Sequence, residues 1–232
     1  DDVSTAFGDC LGGLLSVAAQ NIVVRIMGTG VVVKHANAAR VAENAYTVTL
    51  GDMFAAESKD ICISSAAGPT SIQVQVEYVD VFNKRPVVSE VLTCSVVTGS
   101  TLSAINAHVA LQHLRVDVVE TMRASAELSR LRKMEEARTA LNNMLTKIAA
   151  TAAQLGRLNE PDQAVITMLT ADINECLGSM RSYDEYEQMG SKRMMSKMQT
   201  HSAQRCNESS IDTPNLYRCA AKSRMATKFS KQ

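Results

Sequence analysis

The sequence lacks a net charge and a long apolar run, and its opening residues do not predict a signal peptide. Its 24 Lys and Arg residues are balanced by 24 Asp and Glu residues, which argues against a nucleic-acid or membrane-surface binder that relies on the charge of the whole chain. No run of about 18 apolar residues occurs, so we expect no segment to cross a bilayer. The opening Asp-Asp lacks the basic n-region of a signal peptide, and we expect a cytoplasmic protein.

The six cysteines show no metal-binding pattern, because no Cys-x-x-Cys pair and no Cys/His pair at zinc spacing is present. They are Cys10, Cys62, Cys94, Cys176, Cys206 and Cys219. An even number also permits disulfides in a secreted protein, but a chain of 232 residues can bury a core without them. We therefore favour reduced, buried thiols.

The sequence also shows no arrangement of residues that is typical of a catalytic site. His108 and His113 are five residues apart, which on a helix separates them too far for a zinc pair, and His35 fits a turn. The segment Gly-Asp-Cys-Leu-Gly-Gly at 8–13 has no following Lys-Ser/Thr and no preceding strand, so we interpret it as close helix packing and not as a phosphate loop. No catalytic, cofactor or metal site is predicted, and we do not expect an enzyme.

Apolar residues repeat with two different spacings in the first half of the chain. Residues 3–20 repeat apolar side chains at steps of three and four, which predicts a short helix that packs on a body. From residue 21 to about 100 the period changes to two, and turn residues separate short β-branched runs. The runs are 21–27, 30–35, 46–50, 59–65, 71–79 and 87–97, the last two as arms of a long hairpin. This spacing predicts an antiparallel β-sandwich.

The second half predicts helices. Residues 102–154 contain no Pro and no Gly, and the length favours two antiparallel helices with a break near 129–132. Gly156 is a stop signal, and Pro161 suits the first turn of a third helix ending near Arg181. A fourth helix is predicted over 184–204, with Tyr186, Met189, Met194, Met195 and Met198 as its apolar side. We interpret this methionine group as a core stripe, with an adaptable binding surface as the alternative.

Charge is divided unevenly along the chain. From Lys192 onward there are nine basic and two acidic residues, against 15 basic and 22 acidic residues before it. The basic end is expected to fold back on the acidic body or to bind an acidic partner, either protein or polyanion. The predicted partner-binding residues are Lys192, Arg193, Arg218, Lys222 and Arg224. Beyond residue 206 we predict an extended tail, which can dock on the rest of the chain through Leu216, Tyr217, Met225 and Phe229.

The expected fold class is therefore α+β, with a short N-terminal helix and an antiparallel β-sandwich followed by an antiparallel helical hairpin bundle and a basic tail. The expected boundaries are 1–20, 21–101, 102–205 and 206–232.

Three stretches resemble a known family. Phe-Gly-Asp-Cys-Leu-Gly-Gly-Leu-Leu-Ser-Val-Ala-Ala-Gln at 7–20 is similar to the end of the last helix of a von Willebrand factor A domain and its exit into a sandwich. The segment 183–205 and the Asp-Thr-Pro at 212–214 resemble the final helix and the tail start of the same proteins. This eukaryotic family includes the plant RING/von Willebrand A ubiquitin ligases and the Vint proteins.

The resemblance implies a C-terminal interaction or scaffold region whose sandwich holds the A domain and whose helical half faces a partner. Neither the Asp-x-Ser-x-Ser metal-adhesion signature nor a RING set of Cys and His occurs in the sequence, so neither activity can be assigned to any of its residues. The alternatives are the substrate-recruiting part of a RING-type ligase and a structural subunit of a large assembly.

Overall fold

The computed structural model describes residues 3–65, 71–95, 105–205, 217 and 219. Its order of elements confirms the predicted α+β class: a short helix, then antiparallel strands, then helices. The chain divides into two compact units. A sandwich unit contains the described residues up to 95 together with Cys219, and a helical unit contains 105–205 together with Tyr217.

Helix α1 runs over Val3–Leu15 and ends earlier than the sequence predicts. Ser16 closes it, because both its amide and its hydroxyl donate to the carbonyl of Gly13. The prediction of helix to residue 20 is wrong, since Val17 already pairs with Phe54 in the first strand. The apolar stripe of α1 was expected to lie on a body, but Phe7, Leu14 and Leu15 are exposed.

Eight strands follow within the described residues, and every pair among them is antiparallel. They are β1 (Val17–Met27), β2 (Val31–Lys34), β3 (Ala38–Ala42), β4 (Ala45–Phe54), β5 (Cys62–Ser65), β6 (Ser71–Asp80), β7 (Arg85–Val88) and β8 (Leu92–Ser95). The larger sheet has the order β3-β4-β1-β6-β7, with β8 also paired to β6. Strands β2 and β5 form a second, two-stranded sheet.

One face of the larger sheet is apolar and the other polar, as the period of two predicts. Ile22, Val24 and Ile26 of β1 are buried, and they share a core with Val31 and Val33 of β2. The two sheets therefore pack as the layers of a sandwich. On the opposite face, Arg25 donates two hydrogen bonds to the carboxylate of Glu77 on β6, at 2.8 and 2.9 Å.

Two features of the sheet depart from the predicted strands. Strand β3 was not predicted, because its alanines carry little β-propensity, yet it pairs with β4 along the sheet edge. The return arm of the hairpin is split in two, since both β7 and β8 pair with β6 and Ser89 lies between them. The hydroxyl of Ser89 accepts the amide of Val76 at this interruption.

The helical unit begins with the predicted antiparallel pair. Helices α2 (Ala107–Arg130) and α3 (Met134–Leu155) are separated by a tight turn with Arg132 at positive φ. The break near 129–132 is therefore confirmed. Gly156 ends α3 at φ 70°, a conformation that glycine adopts without strain.

Helix α4 (Glu160–Gly178) begins at the predicted signal, since the side chain of Asn159 accepts the amide of Asp162 and Pro161 lies in the first turn. The fourth predicted helix is a composite of α5 (Tyr183–Glu185), a π-helical turn (Tyr186–Gly190) and α6 (Ser191–Ala203). Leu111, Met122, Leu141, Leu169 and Ile173 are fully or almost fully buried in the core that α2, α3, α4 and α6 enclose. In the described part of the chain, no helix is both long and apolar enough to cross a membrane.

Candidate interaction surface on the helical unit

The structure describes two of the five predicted partner-binding residues. Lys192 and Arg193 lie in the first turn of α6 and are exposed. Among the described residues, neither has an acidic side chain within 4.0 Å of its charged group. Arg218, Lys222 and Arg224 lie outside the described residues. The part of the predicted surface that can be placed is therefore the outer face of α6.

A π-helical turn sets which side chains of α6 face outward. The buried positions are Tyr186, Gly190, Met194 and His201, with Met198 partly buried between them. Steps of four from 186 to 198 exceed the 3.6 residues of an α-helical turn, as expected where a wider π turn is inserted. The turn thus rotates the helix relative to a continuous α-helix of the same sequence.

The structure corrects the predicted methionine stripe. Met194 is completely buried and Met198 contributes to the core, but Met189 is 54% exposed and Met195 is 64% exposed. The prediction that all four line the core is wrong for Met189 and Met195. Residues on an α-helix are about 100° apart, so with Met194 facing inward neither its neighbour Met195 nor Met189, five residues earlier, lies on the buried side.

Gly190 holds the π turn close to the end of α4. A Cβ atom at this position would lie 2.5 Å from the carbonyl oxygen of Ser179 and 3.1 Å from its hydroxyl. Because no ordinary Cβ contact is that short, the approach requires glycine. Gly178, one residue before Ser179, would meet nothing within 4 Å if it carried a Cβ.

The inner side of α6 is fixed by a buried polar cluster, which we define as Arg115, Asp172, Lys197, His201 and Tyr217. Nε2 of the fully buried His201 lies 2.8 Å from Oδ2 of Asp172 on α4. Nζ of Lys197 lies 2.7 Å from the other carboxylate oxygen of Asp172. The ion pair and the hydrogen bond together join α4 to α6.

Two further members of the polar cluster approach from other parts of the unit. Arg115 on α2 is buried and donates from Nη1 to the backbone carbonyl of His201, at 2.6 Å. The hydroxyl of Tyr217 lies 3.2 Å from Nδ1 of His201. Because an ionised carboxylate only accepts, a neutral His201 donates through Nε2 to Asp172 and accepts through Nδ1 from Tyr217. Both ring nitrogens are then satisfied without water.

The electrostatics of the polar cluster favour the charged forms of Asp172 and Lys197. Burial by itself would raise the pKa of Asp172, but hydrogen bonds from His201 and Lys197 outweigh burial, and the pKa is lowered. Burial likewise opposes the charge of Lys197, yet its hydrogen bonds to Asp172 and Glu175 raise its pKa. Nearby Cys176 is buried, and its burial raises the pKa of the thiol to about 12.

Sequence reasoning missed the polar cluster, although part of a signal was present. Lys197 and His201 are four residues apart and therefore share a face of α6. That face also carries the apolar Met194. Polar side chains on an otherwise apolar helix face indicate a buried polar contact, and this was the signal present in the sequence. Asp172, however, is 25 residues before Lys197, and only the packing of α4 on α6 reveals that it is their partner.

The tail was predicted either to fold back on the body or to bind an acidic partner. Two of its residues are described, and both contact the body: Tyr217 lies against His201 in the helical unit, and the thiol of Cys219 donates to the carbonyl of Ala55 in the sandwich unit. Docking through Tyr217 is confirmed. Leu216, Met225 and Phe229 lie outside the described residues.

The remaining sequence candidates are dispersed. His108 is exposed and His113 half-buried on α2, as expected for helix-surface residues. Cys62, Cys176 and Cys219 are buried as predicted, whereas Cys10 and Cys94 are exposed and the prediction of buried thiols is wrong for them. Within the described residues, no group of three or more His, Cys, Asp or Glu side chains could hold a metal ion.

Comparisons with known proteins include a structural likeness of low identity. No protein-family model matches the chain, and no curated protein matches it. Among solved structures, the crystal structure of the ArnB paralog VWA2 from Sulfolobus acidocaldarius is similar over 80% of this chain, with a TM-score of 0.43 and 17% identity. The likeness covers 43% of that protein, so the chain spans less than half of its length.

Proposed function

We propose that the chain is a non-catalytic protein-interaction module that binds an acidic protein partner through the outer face of α6. The observation that carries this proposal is that three basic residues of α6 differ in whether they have an acidic partner in the described part of the chain. Lys197 is held by Asp172 and Glu175 inside the unit, whereas Lys192 and Arg193 are exposed and have no acidic partner among the described residues. We infer that these two charges serve a second protein.

The rigidity of α6 supports the same function. The close approach of Gly190 to Ser179 fixes the start of the helix, and the contacts of Lys197 and His201 with Asp172 fix its last turns. A surface held in place before binding loses less conformational entropy when a partner docks. The buried polar cluster is thus expected to support binding without contacting the partner.

The sequence resemblance suggests where such a module would act. In a von Willebrand A-containing protein, α1 would be the last helix of the A domain, and the sandwich unit would hold that domain. The exposure of Phe7 and Leu14 on α1, at 63% and 68%, supports this assignment, because exposed apolar side chains at helical spacing mark surfaces that pack against other protein. A substrate-recruiting role beside a RING would use the same α6 face.

A structural subunit of a larger assembly is the second candidate function. Strand β8 is exposed along its whole length, and Val88, Val91 and Leu92 at this edge of the sheet are exposed apolar residues. Such an edge can pair with another chain. An assembly that forms through this edge would be abolished by Leu92→Lys and would not respond to changes in α6.

Affinity capture from extracts of the source cells tests the proposed function. The wild-type chain, Lys192→Glu/Arg193→Glu and the control Arg123→Glu/Arg157→Glu are compared, since all four positions are exposed basic residues of the same unit. We expect one or more acidic proteins to be captured by the wild type and the control and lost by the α6 variant. Equal capture by all three would contradict the proposal.

A further inference from the structure

We infer that the α6 surface recognises an acidic segment that also carries large apolar side chains, and that Met189 and Met195 supply the apolar part of the contact. We define the α6 surface as Met189, Lys192, Arg193 and Met195. The inference rests on the proposed function and adds the chemistry of the partner, because exposed methionines beside exposed basic residues form a mixed surface and not a purely electrostatic one.

The four residues are close together on one side of the helix. Met189 precedes Lys192 by three residues and Arg193 by four, and Met195 follows Lys192 by three. Side chains three and four residues apart on a helix are neighbours, about 5–6 Å between their Cβ atoms. The six-residue step from Met189 to Met195 rises about 9 Å along the axis, which matches one to two turns of a bound helix.

Methionine suits this role because its unbranched thioether side chain adapts to different apolar shapes. A methionine in the interior is explained by packing, as at Met194, which is completely buried. Met189 and Met195 gain no such burial within the chain, although the same helix buries their neighbours. Two exposed methionines lie on either side of Lys192 and Arg193, which have no acidic partner among the described residues, and this arrangement fits a partner that joins apolar and acidic groups.

Acidic residues beside the α6 surface restrict where a partner can place its own acidic groups. The segment just before the α6 surface carries the exposed acidic residues Asp184, Glu185 and Glu187. These carboxylates would repel acidic groups that extended past the start of α6. The partner is therefore expected to place its acidic residues over Lys192 and Arg193, with its apolar residues on either side over Met189 and Met195.

Synthetic peptides provide a direct test with the full chain. The probe is a fluorescent amphipathic peptide of Glu and Leu, with Leu repeated every third or fourth position. One control peptide replaces Glu by Gln, and a second replaces Leu by Ser. We expect the wild-type chain to bind the Glu/Leu peptide at least about tenfold more tightly than either control peptide, a difference of one decade in Kd. Added salt should weaken this binding.

Protein variants then separate the two parts of the contact. Met189→Ser/Met195→Ser should weaken binding of the Glu/Leu peptide by about tenfold. The control Val109→Ser/Leu131→Ser removes two exposed apolar side chains, one in α2 and one directly after it, and should not change the binding. Far-UV circular dichroism checks that each variant is folded. Binding that is unaffected by the methionine changes would overturn the inference, as would an absence of peptide binding to the wild type.

The outcomes distinguish this inference from the proposed function. If the Lys192→Glu/Arg193→Glu variant loses its captured acidic proteins while the methionine variant retains them, the α6 surface binds by charge alone and only the inference fails. If neither variant changes capture or peptide binding, both the inference and the proposed function fail. Loss with both variants, and not with the Val109→Ser/Leu131→Ser control, supports both the inference and the proposed function.

Discussion

His201 and Asp172 are 29 residues apart in sequence, yet Nε2 of one lies 2.8 Å from a carboxylate oxygen of the other in the interior of the helical unit. This contact joins α6 to α4. Since the outer face of α6 is the proposed binding surface, the buried contact determines how that surface is held.

Asp172→Asn should destabilise the helical unit. Replacing a buried carboxylate leaves Lys197 with the more exposed Glu175 and removes the ionised acceptor of His201, and breaking buried charge pairs costs about 3–5 kcal/mol. Because Lys197 retains some exposure, we expect a smaller loss, about 2 kcal/mol in the free energy of unfolding. Urea denaturation followed by far-UV circular dichroism measures it. Asp184→Asn, at an exposed position, is the control and should change the unfolding free energy very little.

The carboxylate of Asp172 should also make the stability of the helical unit depend on pH in acidic solution. The pKa of Asp172 is lowered in the folded state, so its contribution to stability is complete above the ordinary pKa of 3.8 and is lost as the pH falls through the lower folded value. The difference in stability between wild type and Asp172→Asn should therefore shrink below about pH 4. A difference that stayed constant down to acid unfolding would show that Asp172 is not charged in the folded protein.

Gly190→Ala tests the close approach of the π turn to α4. A Cβ atom 2.5 Å from the carbonyl of Ser179 forces one of the two segments to move, and overpacking of this kind costs about 1–3 kcal/mol. Gly178→Ala is the matched control, because a Cβ there meets nothing within 4 Å and alanine favours the helix by about 0.5–1 kcal/mol. Thermal unfolding should show a lower Tm for the first variant and an unchanged or higher Tm for the second.

Met194→Ala and Met195→Ala test the orientation of α6. Met194 is completely buried and Met195 is largely exposed, so the first change should cost about 2–5 kcal/mol and the second about 0.5 kcal/mol or less. Adjacent residues of one type make the comparison direct. If the two variants had equal unfolding free energies in urea, the described orientation of α6 would be wrong.

Local patterns predicted most of the fold, because short-range chemistry fixes it. The stop at Gly156 and the start at Asn159 follow from turn and capping residues that act within a few positions, and the break between α2 and α3 was predicted from the length of the helical run. Alternation in β1 and β6 likewise predicts strands with one buried face. These features require no knowledge of distant residues.

The features that escaped prediction depend on long-range contacts. Strand β3 is alanine-rich and exists because β4 offers it a pairing partner, and α1 ends early because Val17 pairs with Phe54. The π turn depends on the fit of Gly190 against Ser179. For the candidate site, Lys192 and Arg193 could be proposed from charge alone, whereas the buried polar cluster and the exposure of Met189 and Met195 could not.

Hydrogen–deuterium exchange on the complex with the captured acidic protein tests the central claim most directly. We predict that binding slows amide exchange in the segment 189–199, because a partner on the outer face of α6 excludes solvent and suppresses local opening of the helix. Peptides from the sandwich unit should exchange at their unbound rates. Slowed exchange confined to the strands, with α6 unchanged, would contradict the claim that α6 carries the binding surface.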